Sequence, residues 1–171
     1  MLSVIVLLAL TLPLWLLAGF GDWWCHRRTL IHRTSGARES VLHLLLYLVI
    51  AVPVVLGLYL QISALLLVFM AVCVCAHSAI ALWDSSYSQP RRYISPVEQM
   101  IHSHLEMLPV FALGLVAVLH WEAVANADWT LAAREHPLPG AWTSGVLLLL
   151  VPGLLLILEE LARSLRAPSH A

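Results

Sequence analysis

Four carboxylate–imidazole pairs recur along this chain: Asp22-x-x-x-His26, Glu39-x-x-x-His43, His77 with Asp84, and Glu98-x-x-x-His102. Spacings of four and seven residues return to nearly the same side of an α-helix, so each pair would present an acid and a ring from one face. Those two side-chain types together bind transition metals, the carboxylates bringing charge and the neutral imidazoles nitrogen lone pairs. For any one pair the plainer alternative is a solvated residue at a helix end. Glu98 has a specific competitor, because Ser95-Pro96-Val97-Glu98 has the form of a capping box with Pro96 at the first helical position. Asp84 could simply begin the turn after its helix. Four such pairs on successive segments point instead to a shared site.

The segments that must position them are apolar. The chain has 171 residues, 61% of them hydrophobic and 11% charged, with a mean hydropathy of +0.88. That composition points to an integral membrane protein forming one domain over residues 1–171. A net charge of -1 argues against nucleic acid as a partner. Cys25, Cys73 and Cys75 show no spacing of a secreted disulfide scaffold. Polarity minima divide the chain into five expected spans at roughly 2–21, 40–60, 62–83, 97–120 and 142–158, each near the ~20 residues that cross a bilayer. Pro53 and Pro109 fall inside spans, which packed membrane helices tolerate. The fold expected is all-α and polytopic, with five transmembrane helices, the first four forming an antiparallel bundle. Residues 121–141 form the longest polar connector.

Arginine placement sets the orientation. There is no lysine; Arg27, Arg28, Arg33, Arg38, Arg91 and Arg92 flank two loops on one side, Arg163 and Arg166 follow the last span, and Arg134 alone lies opposite. The positive-inside rule then places the N-terminus outside and the C-terminus in the cytoplasm. The bias to Arg, Leu, Ala and Trp suggests a bacterial inner membrane. Residues 1–20 lack a basic n-region and are expected to be a retained span, not a cleaved signal.

With alternating chain direction, all four pairs land at the cytoplasmic side. Asp22, His43, His77 and His102 should be the deeper members, and His26, Glu39, Asp84 and Glu98 the shallower. Ionised carboxylates gathered in a low-dielectric bundle repel one another unless balanced. The arginines cluster in loops, so the balance expected is two divalent ions, most readily iron, with zinc or manganese as alternatives. Glu106 lies two turns from Glu98 on the same face and is a candidate proton carrier or hydrogen-bond acceptor. Tyr47 extends the Glu39/His43 stripe and is either a redox or positioning residue or a packing one. His32, His120, His136 and His170 lie apart from the pattern. A rival stripe of Met70, Cys73 and His77 with Met100, His104 and Met107 would suit Cu(I), although Met at helical spacing is usually core. Haem ligation would leave the carboxylates without a role.

At motif level the arrangement resembles the di-iron carboxylate proteins, in which four helices converge on two irons through carboxylate and histidine ligands. The matching positions are Asp22, His26, Glu39, His43, His77, Asp84, Glu98 and His102. That class uses Glu-x-x-His, whereas this chain has Glu-x-x-x-His twice, and the clustered histidine boxes of membrane desaturases are missing from it. The likeness covers the first four spans and leaves the fifth unexplained. It implies an oxidoreductase that acts on a lipid or other apolar molecule from the cytoplasmic side, with an electron donor. The residues leave open a di-zinc hydrolase, a metal or proton transporter, and a scaffold without catalysis. Glu159-Glu160 matches no membrane-protease motif and suggests no chemistry. Glu159 and Arg163 form a candidate i,i+4 pair.

Overall fold

The computed structural model describes residues 2–167, with side chains described from Val6 onward except Leu7 and Leu8; His170 lies outside the described residues. It is helical, with α1 at Leu2–Arg28, a 3-10 turn at Ile31–Arg33, α2 at Ala37–Tyr59, α3 at Ala64–Ser88, α4 at Pro96–Leu119, a short α5 at Trp121–Ala125 and α6 at Gly140–Arg166. No strand occurs among the described residues. Four helices, α2, α3, α4 and α6, are long and apolar enough to cross a membrane. The helices outrun the apolar segments at their polar ends. Thus α1 continues through Asp22 and His26 to Arg28, which keeps the pair helical and on one face.

The five long helices close a ring in the order α1, α4, α3, α2, α6 and back to α1. On α1, Leu10, Leu14, Leu17, Phe20 and Trp24 point outward, while Thr11, Trp15, Asp22 and His26 are buried. The outward set steps by three or four residues and the buried set by four, seven and four, so a helix that is apolar nearly all round still has one inward stripe. The inner face is distinguished by what is polar on it.

The middle of the ring packs Trp15, Tyr47, Ile50, Ala51 and Leu150 together. The rings of Trp15 and Tyr47 stack with centroids 5.6 Å apart, and the Tyr47 hydroxyl donates to the Leu150 carbonyl. Gly153 permits this approach: a Cβ there would come within 3.0 Å of both Leu16 and Tyr47.

Loop chemistry sets the helix ends. Ser63 and Ser95 cap α3 and α4 by accepting from the amides of Leu66 and Glu98, each at 3.2 Å. The turn after α1 requires positive φ at Leu30 and Gly36, and it buries Ile31 completely. The expected connector 121–141 carries α5 and then folds back on the α2–α3 turn. There the Arg134 guanidinium donates to the Gly57 carbonyl at 2.8 Å, and its amide donates to the Tyr59 carbonyl. Those carbonyls belong to the last turn of α2, which has no helical amides left to accept from.

Candidate metal centre

The last turns of α1, α3 and α6 and the first turns of α2 and α4 meet at one end of the ring. Asp22, His26, Glu98 and His102 form one group and His26, Glu39 and His43 a second, in each of which one ligand atom per residue lies within 4.8 Å of the others. His26 belongs to both. Six of the eight sequence candidates are therefore in a group. Asp84 adjoins the second, its Oδ2 lying 3.5 Å from His43 Nε2. His77 is buried and lines the same cavity, yet it belongs to neither group. Two turns separate it from Asp84, about 10 Å along the axis, which is further than both can span to one ion.

The imidazoles of His26 and His43 lie face to face, 4.4 Å apart and 7° from parallel. Glu160, from α6, holds both: one carboxylate oxygen is 2.9 Å from His26 Nδ1 and the other 2.7 Å from His43 Nδ1. A carboxylate accepts hydrogen bonds, so each ring donates from Nδ1, and in its neutral form would offer the Nε2 lone pair as a ligand. His26 Nε2 then sits 3.3 Å from Asp22 Oδ1 and 3.4 Å from Glu98 Oε1. His43 Nε2 sits 3.5 Å from Asp84 Oδ2 and 3.9 Å from Glu39 Oε1. Both Nε2 atoms are sheltered from solvent and make no hydrogen bond. Buried polar atoms are rarely left this way. Ligand atoms each ~2.1 Å from one ion at the tetrahedral angle would be roughly 3.4 Å apart, close to the spacing of His26 Nε2 from Asp22 and Glu98 and of His43 Nε2 from Asp84, though not from Glu39. A second shell of this kind, a carboxylate on the far nitrogen of a metal-binding imidazole, also fixes ring orientation. On the α1/α4 side, His102 Nε2 is 2.9 Å from Asp22 Oδ1.

Two residues of the centre escape the sequence patterns. Glu160, only 2% exposed, contradicts the expectation that Glu159-Glu160 carries no chemistry. The available signal was its register: it continues the inward stripe of Leu156 and Ile157 and precedes Ser164, whose hydroxyl meets that of Ser40 at 2.9 Å. Glu159 instead turns outward, accepting from Trp23 Nε1 at 2.9 Å and pairing with Arg163 at 3.4 Å as its spacing suggested.

The second is Arg92. The expectation that all arginines stay out in the loops is overturned, because this one folds back from the α3–α4 connection into the cluster. Its guanidinium donates twice to Glu39 Oε1, at 2.9 and 2.6 Å, and lies 2.6 Å from Glu98 Oε1. Burial alone would lower its pKa, but the bonds and charges of Glu39 and Glu98 raise it, so Arg92 is a fixed cation. The balance is nevertheless preserved. Glu160 adds one negative charge to those of Asp22, Glu39, Asp84 and Glu98, and Arg92 cancels one. With neutral imidazoles the cluster still has an excess of four negative charges, which two divalent ions would match.

The capping box forms by halves. Ser95 accepts the Glu98 amide, but the Glu98 side chain turns inward to Arg92 and His26 and does not reach back. Ser35 donates to Glu39 Oε2 and so fixes that carboxylate from the second side.

From the centre a cavity of about 90 Å³ runs into the ring between Leu46, Leu105 and Leu156, with Trp15 and Tyr47 also in its wall. Glu106 and His77 are polar members of that wall, whereas the Tyr47 hydroxyl is engaged with the backbone of α6. The alternative copper stripe has a different setting: Met100 and Met107 are 59% and 63% exposed, and His104 Nδ1 is 2.7 Å from the Met100 carbonyl. Comparison of the chain with protein-family models, with curated proteins and with solved structures returned no match.

Proposed function

We propose that this is an integral membrane protein that retains two transition-metal ions at the cytoplasmic end of an antiparallel, five-span helix ring and uses them for redox chemistry. The carrying observation is the Glu160 clamp, which turns two buried imidazoles so that both Nε2 atoms, which make no hydrogen bond, face carboxylates. In this reading α1 is the fifth span and its N-terminus lies outside, as the arginine asymmetry suggests. One ion takes Asp22, His26, Glu98 and His102. The other would take His43, Glu39 and Asp84, a set with fewer protein ligands. Mixed carboxylate and imidazole ligation favours iron, with manganese and zinc next.

The metals would supply electron transfer and Lewis acidity, and the protein does the rest. Glu160 sets the ring orientations, Arg92 neutralises one carboxylate charge, and Glu106 carries a proton at the cavity wall. The cavity size bears on the substrate. About 90 Å³ is less than the ~150 Å³ that admits benzene. It therefore accepts a small oxidant such as dioxygen or peroxide, or the reacting end of an apolar molecule, rather than a whole lipid. The stacked Trp15 and Tyr47 rings pack across the ring interior, which favours a retained centre over a conduction path.

Elemental analysis of the purified full-length protein together with its absorption spectrum tests the reading. Two irons per chain and a diferric absorption band are expected. A colourless protein with two zincs would replace redox with hydrolysis, since the same donors suit zinc. Fewer than one transition metal per chain would end the metal reading.

A further inference from the structure

A second polar recess, of about 460 Å³, lies beside the centre at the end of α6, lined by His32, Arg33, Glu159, Arg163 and Arg166. Its charges are not balanced from within. The one carboxylate, Glu159, is already engaged by Trp23 Nε1 at 2.9 Å, by Arg163 Nε at 3.4 Å and by Arg27 at 3.6 Å. Arg163 Nη1 reaches only His32 Nδ1, at 3.5 Å, while its Nη2 is sheltered from solvent and makes no hydrogen bond. Arg33 and Arg166 have no carboxylate partner among the described residues.

The recess also has a fixed frame. His32 belongs to the 3-10 turn held by fully buried Ile31, and Arg163 stands on the α6 turn that follows Glu160. Leu158 and Leu165 on the same helix end are 42% and 67% exposed. Apolar side chains open to the outside directly beside unpaired guanidiniums mark the boundary between acyl chains and headgroups.

We infer that this recess binds a phosphate group, with Arg163 as its main donor and Arg33 and Arg166 closing over it. Guanidinium groups meet phosphate oxygens through paired N–H bonds, and Arg163, which lines the recess, has Nε and Nη2 donors without a hydrogen-bond acceptor. The positive field there is visible in His32, whose pKa is lowered first by burial and then by Arg163, Arg33 and Arg27, with Glu159 opposing. The phosphate could be that of an anionic lipid headgroup, given the flanking leucines, or free phosphate from the cytoplasm.

The test uses the full chain in nanodiscs of phosphatidylcholine, with and without phosphatidylglycerol, and separately with inorganic phosphate added to phosphatidylcholine discs. Histidine ring resonances follow the titration of His32, and bound lipid is counted by native mass spectrometry. A bound phosphate should raise the His32 pKa, because a nearby anion favours imidazolium. A rise with phosphatidylglycerol alone assigns the site to a lipid headgroup, and a rise with inorganic phosphate too assigns it to phosphate of either source. Arg163→Gln should abolish the rise and cut retained phosphatidylglycerol at least tenfold. Arg166→Gln, at an exposed position, should weaken both effects severalfold. Arg28→Gln, outside the lining of the recess and stacked on Trp24 at 5.2 Å, should change neither. Metal content is read on the same samples and is expected to be unaltered, so this inference and the metal reading fail separately. The phosphate site is overturned if His32 does not respond to either ligand, or if Arg28→Gln loses as much lipid as Arg163→Gln.

Discussion

The two sides of the centre draw on the same residue types and are built differently. The α1/α4 side gathers Asp22, His26, Glu98 and His102 from facing i,i+4 pairs, with four ligand atoms mutually within 4.8 Å. The α2/α3 side has the matching Glu39 and His43, but its α3 pair is spread over seven residues. Asp84 therefore arrives while His77 stays deeper in the cavity. Arg92 also divides its attention unevenly, with aligned hydrogen bonds to Glu39 and a close but unaligned contact to Glu98. One side thus approaches a closed set of protein ligands. The other has fewer ligands and meets the aligned hydrogen bonds of Arg92, while residues of both sides line the cavity. On the proposed metal reading, the ion on the α1/α4 side would be the more firmly held and the other the more exchangeable.

Substitutions can break or sharpen that contrast. The largest effect is expected for His26→Ala, which removes a ligand of one ion and the ring stacked 4.4 Å from His43 that helps place the other: metal content should fall from two ions per chain toward none. Glu160→Ala comes next. Losing the carboxylate behind a ligating imidazole costs about 10- to 100-fold in metal affinity, and here it would affect both rings, so both occupancies should fall in a chelator titration. His43→Ala should remove only the exchangeable ion and leave about one per chain. Equal losses from His26→Ala and His43→Ala would erase the proposed asymmetry.

Arg92→Gln should act in opposite directions with and without metal. In the metal-free protein it leaves Glu39 and Glu98 buried without their cation, and breaking a buried pair in this way costs about 3–5 kcal/mol. Added metal should recover more thermal stability than it does in the unsubstituted protein, since the ion no longer competes with the guanidinium. Smallest is Tyr47→Phe, which removes the bond to the Leu150 carbonyl. A loss of about 1 kcal/mol in unfolding, with metal content unchanged, is expected. A large change in the absorption spectrum would instead give Tyr47 a role at the metals.

Much of this is legible in the sequence. The apolar segments located the long helices, and the i,i+4 pairs named six of the residues that the two groups contain. The reason is that a helix is locally determined: periodicity fixes which side chains share a face, and the polar residues of an otherwise apolar span mark the inward one. The seven-residue pair on α3 was less informative, because returning to the same face does not bring two side chains to the same depth. His77 shows the difference.

What the amino-acid order determined alone is therefore the set of rods, their polar ends and the charge that any centre among them must balance. Tertiary packing decided which side chains complete it. Arg91 and Arg92 are adjacent in a loop with no period, and only the fold sends Arg92 inward while Arg91 stacks on Tyr87 at 3.8 Å. Glu159 and Glu160 are likewise neighbours, and the rotation of α6 against α1 and α2 made one an outward partner of Trp23 and the other the clamp of His26 and His43. Local sequence sets the angle between neighbouring side chains on a helix, but the rotation of the whole helix is set by the surfaces it packs against.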